Sequence, residues 1–505
     1  MTSGAKPPGP SPRRQAWLTG LPAVVLVLIV YTWLASIGTW TDWPSNSTYY
    51  DRLATAFRHG HLWLDLKPDA ALLALPNPYD PEARRGLPFL SDASLFRGRY
   101  YLYFGPVPAL VLLIAKFFHP SAIADQLLVF AFTCGTFIVM STFAIRIWRR
   151  FFGDVSPWLV APAIAALGLM SPFGWVLGSQ AAVHDAAISA GQFFFLAGLY
   201  AAFEALDSEA SSTPKAVLAG LLWAAAIGSR ITQIIPVAFV LAMVAVRHLW
   251  RRRDADAPAR SRRAIAAYIA PVVVGIGILG WYNWARFGSV LETGVSYQLA
   301  LLYVQAHRQE IFSTKYVLQN LYNYFLMPAK LRYNFPYIWP RMGIRGAINP
   351  GFPLPSLYFA ENITGLLFTA PFLVLGLVPG IMRALRTSRL SLSEASADLL
   401  HWLEAVLAGA FLIGFALFLV FFWASERYLL DFLPAALLLS LIGFWRLHAA
   451  ARHGPAGPRI AIVAGLVLML VSAVVSTLLA IALNADGFRQ LNPVLWQQLN
   501  NLFRP

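Results

Sequence analysis

The stretch YLYFGPVPALVLLIAKFF, residues 101–118, decides the topology of this chain. It is apolar and close to the roughly twenty residues that a helix needs to cross a bilayer. If it crossed, and the apolar run at about 121–145 crossed as well, the basic RIWRRFF of 146–152 would face outward. Cytoplasmic loops carry the excess of Lys and Arg, so that arrangement is disfavoured. Read as an interfacial or re-entrant helix bent at Pro106 and Pro108, the stretch stays on the outer side and leaves Arg146, Arg149 and Arg150 inside.

The rest of the topology follows outward from that choice. Arg13 and Arg14 place the N-terminus inside, and residues 1–14, rich in Pro, Gly and Ser, are expected to be a disordered cytoplasmic lead-in. The run 16–38 is too long, and too weakly flanked by a cleavage signal, for a secretory leader and reads as an uncleaved first span. Spans are then expected at about 121–145, 156–174, 186–205, 215–229, 231–249, 264–283, 362–382, 402–422, 429–446 and 460–483. That gives about eleven transmembrane helices in a single all-α polytopic membrane domain, 15–483. A first outer loop covers 39–120, a second outer segment covers 284–361, and the tail 484–505 is expected outside. The loop EALDSEASSTPK, acidic and placed inside, fits the charge rule poorly.

Composition agrees with this reading. Of 505 residues 58% are hydrophobic and 12% charged, against about 25% charged in soluble domains. The net charge of +15 sits in short loops such as Arg247 to Arg263, a topology signal rather than a nucleic-acid surface. Cys134 is the only cysteine, so the chain makes neither an internal disulfide nor a cysteine metal site.

Charge is scarce, so its placement is informative. Asp42, Asp51, Asp65, Asp69, Asp80 and Asp92 gather in the stretch from Thr41 to Tyr101, which suggests chemistry at a water–lipid boundary. Asp51 lies in SNSTYYDRLATAFRHGHLWLD, where Tyr50, Leu53, Ala54 and Phe57 share one face of an amphipathic helix. Its plain reading is a solvated charge; its functional reading is a general base made more basic by partial desolvation. Asp80 in NPYDP and Asp92 in SDAS sit in ordinary turn and cap contexts. His184-Asp185 stands at the outer end of the fourth span, as a cap or as part of a site.

Arg230 is the only charge between Ala216 and Val246, and an ionisable group at such depth is a functional hypothesis unless it snorkels to headgroups. Arg427 with Tyr428, and Arg286 in WYNWARFGS, receive the same reading. Several arginines on one outer rim could hold a phosphate by bidentate hydrogen bonds. The tyrosines of 284–361 belong first to the interfacial aromatic belt and secondarily to a sugar-stacking surface. His59 and His61, placed on a helix, would point to different faces, so no metal is assigned to them. Asn46 and Asn362 open glycan-acceptor triplets.

The layout, with YYDRLATAFRHGHLWLD, SDASLFRGRYYLYFGPVPAL, LLWAAAIGSR, WYNWARFGSVLETG and ERYLLDFLP, resembles bacterial members of the GT-C superfamily of polyprenyl-phosphate-sugar-dependent glycosyltransferases. Protein O-mannosyltransferases and aminoarabinose transferases are among its relatives. The resemblance implies an inverting transfer of sugar from a polyprenyl-phosphate donor to an acceptor hydroxyl, at the outer face of a bacterial inner membrane. It places catalytic roles on Asp51 and Asp185 and matches Arg230, Arg427 and Tyr428 to the family's basic and arginine-tyrosine positions; beside these, Arg286 is a candidate for donor-phosphate binding, and His184 and Tyr101 are candidates for a substrate loop. Members often pair two acidic residues after the first span, whereas Tyr50 and Arg52 flank Asp51. That departure leaves Asp80 and Asp92 open as the base. It also argues against a metal held by paired carboxylates, so no cofactor is expected, with a divalent ion left open. The partners implied are the lipid-linked donor, an acceptor of undetermined class and membrane lipid, with no nucleic acid. The competing reading is a transporter or flippase for a lipid-linked or anionic solute; such folds place repeats, broken helices and polar groups at the midplane, whereas here the polar groups lie at the rim.

Overall fold

The computed structural model describes residues 12–44, 47–178, 181–208, 213–250, 257–343, 354–385, 392–451 and 457–502. Seven of its helices are long and apolar enough to cross a membrane: Asp125–Phe151, Val183–Asp207, Ile231–Trp250, Ser261–Phe287, Glu394–Leu419, Leu433–Ala450 and Arg459–Leu483. Four shorter apolar helices, Gly20–Ala35, Pro157–Leu169, Thr213–Ser229 and Pro371–Ala384, fall where the remaining spans were expected. The protein is an all-α polytopic membrane protein. Its few strands are two- and three-residue pairs outside the long helices.

Burial separates the inside of the bundle from its rim. The apolar window of Leu433–Ala450 is 83% buried, so this helix is central, whereas that of Ser261–Phe287 is 11% buried and faces outward. The first helix packs its Tyr31 into the core, where the phenol donates to the Gly168 carbonyl at 2.6 Å.

The decisive stretch contains only a nine-residue helix, Val107–Ala115, about 14 Å at 1.5 Å per residue. That is too short to span, and Ile114, Phe117 and Phe118 are exposed at its end. The loop that fitted the charge rule poorly is also explained. Arg146 pairs with Glu204 at 2.5 Å and Asp207 at 2.6 Å, and Arg150 pairs with Asp207 at 2.8 Å. Helices Asp125–Phe151 and Val183–Asp207 therefore end on the same side, and Glu204 and Asp207 at the start of the acidic loop are neutralised by Arg146 and Arg150.

Three boundaries differ from the sequence reading. The first helix already begins at Pro12, inside the stretch expected to be disordered, while residues 1–11 lie outside the described residues. The helix expected to stop at 283 continues to Phe287, carrying Arg286 with it. The tail forms helices Ala485–Leu491 and Pro493–Leu502, with Phe488 against Trp33 and Asn492 donating to the Ile37 carbonyl at 3.2 Å. Asn46, which opens one of the glycan-acceptor triplets, lies outside the described residues.

Candidate functional site

Two close approaches of backbone build the site. A side chain at Gly105 would put its Cβ 2.0 Å from the Gly228 carbonyl oxygen, so only glycine lets the first loop press against the Thr213–Ser229 helix, next to Arg230. Gly294, with φ +105°, leaves no room for a Cβ beside Ser94 Oγ and the Phe287 ring. There the first loop locks onto the second outer segment. Ser94 Oγ donates to the Gly294 carbonyl (2.8 Å), Asp92 N–H to Leu299 O (3.1 Å) and Leu299 N–H to Ala93 O (2.8 Å). Buried Arg84 adds donations to the carbonyls of Pro78 and Tyr79 and reaches Ala300 O.

The result is a cavity of about 650 Å³ lined from all these elements. Asp92, Arg230, Arg286, Arg427, Tyr428 and His184 line it, together with Tyr103 and Glu361. An apolar wall of Ile227, Ile231, Leu279, Leu417 and Phe418 adjoins them. Asp92 adopts φ +55°, a left-handed conformation that Asp tolerates better than most residues, and it accepts from Gln298 Nε2 at 3.1 Å.

The three arginines arrive from distant parts of the chain. Arg230 sits in extended backbone between the Thr213–Ser229 helix and the following turn, 2.9 Å from Asp431 Oδ2 and with its guanidinium 5.6 Å from the Tyr428 ring centre. Gln233 also donates to Asp431, at 3.1 Å. Burial pushes the Asp431 carboxyl up, against the pull of Arg230. Arg286 donates to Leu102 O (2.5 Å), Asn283 Oδ1 (2.8 Å) and Tyr282 O (3.4 Å). All three acceptors are neutral, so its positive charge is available to the cavity.

Arg427 follows the strand Trp423–Ala424, which pairs in parallel with Phe359–Ala360. It contacts His184 Nε2 and Glu361 Oε1. Burial works against its charge, but Asp185 and Glu361 outweigh that and hold its pKa above the ordinary value. Glu361 is fixed in turn by Trp423 Nε1 at 3.0 Å and Ser425 Oγ at 2.6 Å. Tyr428 stacks on Phe418 at 4.8 Å, and burial pushes its phenol up to about 12, which leaves a neutral hydroxyl. Asn320 holds this wall in place: its amide donates to the carbonyls of Phe418, Leu419 and Phe421, at 2.8 to 3.0 Å, where the Glu394–Leu419 helix ends with unpaired acceptors.

A second cavity of about 530 Å³ shares His184, Glu361 and Arg427 with the first. Asp185, Asn362 and Ser425 also line it. Asp185 combines both of its sequence readings. Its Oδ2 accepts from Ala182 N–H at 3.0 Å as a helix cap, and it stands 3.2 Å from His184 Nε2.

Asp51 lies elsewhere. It is buried in an ion pair with Lys116 (2.7 Å) and accepts from Ile123 N–H (2.9 Å). The amphipathic face of its helix turns it toward the interfacial helix and away from the cavity. Asp125 caps that same helix, accepting from Ser47 Oγ (2.5 Å), Tyr49 N–H (2.9 Å) and Tyr50 N–H (3.1 Å). Asp80 accepts from Glu82 N–H at 3.0 Å, the turn chemistry its neighbours suggest, and Tyr101 packs on Phe287 at 5.2 Å; neither lines the cavities.

The placement of His59 and His61 on separate helix faces is corrected. The helix stops at Arg58, and Gly60 at φ +77° reverses the chain. Glu361 was missed as a site residue. Its signal was isolation, as the only carboxylate between Glu310 and Glu394. Asp431 was quoted within ERYLLDFLP without a role, because its partner Arg230 is two hundred residues away.

No family model and no curated protein matches this chain. Among solved structures it is similar to the Archaeoglobus fulgidus oligosaccharyltransferase in the apo form, at 12% identity and a TM-score of 0.48 over 97% of this chain and 60% of that one. It is similar to the same organism's AglB in complex with an inhibitory peptide and a dolichol-phosphate, at 13% identity and a TM-score of 0.49, over 96% and 59% of the two chains. It is also similar to ArnT from Cupriavidus metallidurans bound to undecaprenyl phosphate, at 13% identity and a TM-score of 0.43, over 95% and 78%. The chain spans about 60% of the length of the archaeal proteins. These are likenesses of layout over most of this chain.

Proposed function

We propose that this protein is an integral-membrane glycosyltransferase that moves a sugar from a polyprenyl-phosphate donor to an acceptor hydroxyl at the outer face. The observation that carries this reading is the meeting of Asp92, Arg230, Arg286 and Arg427 on one cavity with an apolar wall. A phosphate head on a hydrocarbon chain needs both kinds of surface. The guanidiniums bind the phosphate oxygens, and Leu279, Leu417 and Phe418 take the first isoprene units.

Asp92 accepts the proton of the acceptor hydroxyl as its oxygen bonds to the anomeric carbon. The bond from that carbon to the phosphate oxygen breaks, and its electron pair leaves with polyprenyl phosphate. The leaving group departs as an anion, so cations serve it and a general acid is unnecessary. Arg230 and Arg427 stabilise the charge that grows there, an effect worth about 3 kcal/mol per donor in other enzymes. The second cavity, with His184, Asp185, Asn362 and Ser425, is suited to hydroxyl groups of sugar or acceptor.

The test uses proteoliposomes supplied with radiolabelled polyprenyl-phosphate sugars. Asp92→Asn keeps the shape and removes the base, and transfer should fall by about 10²–10⁴-fold. Full transfer by Asp92→Asn would remove Asp92 from the reaction. If the unmodified protein consumes no lipid-linked sugar, the enzyme reading fails.

A further inference from the structure

The turn that ends the Tyr49–Arg58 helix brings together groups that the transfer reaction does not use. Gly60 at φ +77° folds the chain back, with His59 and His61 N–H groups both bonded to the Ala56 carbonyl, at 3.0 and 3.1 Å. Leu64 N–H then bonds Tyr100 O at 2.8 Å and Leu66 N–H bonds Leu64 O at 2.8 Å, which turns Asp65 toward the histidines. One ligand atom each from His59, His61 and Asp65 lie within 4.8 Å of one another. Among the described residues this is the one such group of three.

We infer that His59, His61 and Asp65 form a binding site for a borderline divalent cation, zinc by preference, on the first outer loop. Two imidazoles and a carboxylate suit zinc, and the fourth tetrahedral position would be left to water. Ligand atoms around zinc stand about 3.3 Å apart, given bonds of about 2.0–2.1 Å, so side-chain rotation has at most about 1.5 Å to close. His59 and Asp65 are exposed and free to rotate. His61 is already oriented: its Nδ1 lies 3.1 Å from the Trp63 carbonyl and its ring stacks on Trp63 at 4.4 Å. Donation of one ring N–H to a carbonyl leaves the other nitrogen as the ligand, the usual arrangement behind a metal-binding histidine. The Arg99 guanidinium lies 3.7 Å from the Trp63 ring centre, so the indole that His61 stacks on is itself held by the first loop. The ion would pin the exit of the helix that carries Asp51 to the turn that Leu64 bonds to Tyr100, and none of its three ligands lines either cavity.

The experiment titrates the full-length, tag-free protein in detergent with zinc chloride against a chromophoric chelator, and repeats it with cobalt(II) for its visible absorption. The expected result is one zinc per chain, with binding weakened at least about tenfold in Asp65→Asn and abolished in the His59→Ala/His61→Ala double variant. An unchanged elution profile and thermal midpoint of the metal-free variant would show that its fold is intact. Equal zinc binding by the double variant, or no stoichiometric zinc on the unmodified chain, overturns the inference. Neither result depends on glycosyl transfer.

Discussion

Lys116 Nζ stands 2.7 Å from Asp51 Oδ1 with both side chains buried, and this pair joins the Tyr49–Arg58 helix to the interfacial helix Val107–Ala115. An amphipathic helix and an apolar helix of the first loop are thereby held together. Removing one partner of a buried pair leaves an uncompensated charge and costs about 3–5 kcal/mol. Asp51→Ala and Lys116→Ala should each lower the thermal midpoint in detergent, and the double variant should recover part of the loss. If Asp51→Ala leaves stability unchanged but abolishes transfer, Asp51 belongs to the chemistry after all.

Arg230 and Asp431 test the phosphate clamp. Arg230→Ala should lower the turnover of lipid-linked sugar by about 10²–10³-fold, the usual loss for a charge-stabilising donor. Asp431→Asn should act mainly on KM for the donor, because Asp431 orients Arg230 from 2.9 Å without lining the cavity. Steady-state kinetics on the two variants separate these effects.

Glu361 anchors Arg427 from the other side, between Trp423 Nε1 and Ser425 Oγ. Glu361→Gln keeps the shape and removes the ion pair. Donor affinity should fall about tenfold, or about 1.4 kcal/mol, as measured by quenching of the tryptophan fluorescence on adding polyprenyl phosphate. Unchanged affinity would mean that Arg427 is positioned by His184 alone.

Glu426 predicts a pH dependence of stability. It is fully buried, accepting from Thr364 N–H at 3.1 Å and Ser171 Oγ at 2.9 Å. Burial pushes its carboxyl up to about 7 from an ordinary 4.5, against the pull of those bonds. Between those values the folded protein holds a proton that the unfolded chain has released, so stability falls as pH rises through that window. The full loss is about 3 kcal/mol. Thermal midpoints at pH 5 and pH 8 should differ for the unmodified protein, and the difference should shrink in Glu426→Gln.

How much of this was legible in the sequence depended on how local each signal was. That the apolar stretch 101–118 holds no membrane-length helix could be anticipated from charge bookkeeping around Arg146–Arg150 and from Pro106 and Pro108. Arg230 could be read because a lone charge in an apolar stretch is conspicuous without any partner. Glu361 and Asp431 could not be assigned, because their meaning lies in Arg427 and Arg230. The histidines were misread for a local reason: one left-handed glycine ended the helix sooner than the apolar periodicity implied.

Hydropathy and loop charge by themselves determined the apolar helices and the clustering of acids beside the first, since transfer into hydrocarbon is a property of each segment taken alone. Only the tertiary structure decided which aspartate reaches the cavity. Asp51 and Asp92 are both carboxylates of one loop, and their local contexts, a helix face and a turn, do not say which of them reaches a cavity. Packing gave Asp51 a lysine from just beyond the Val107–Ala115 helix and gave Asp92 a place on the cavity that three arginines also line, and a carboxylate's role is set by the groups that folding brings around it.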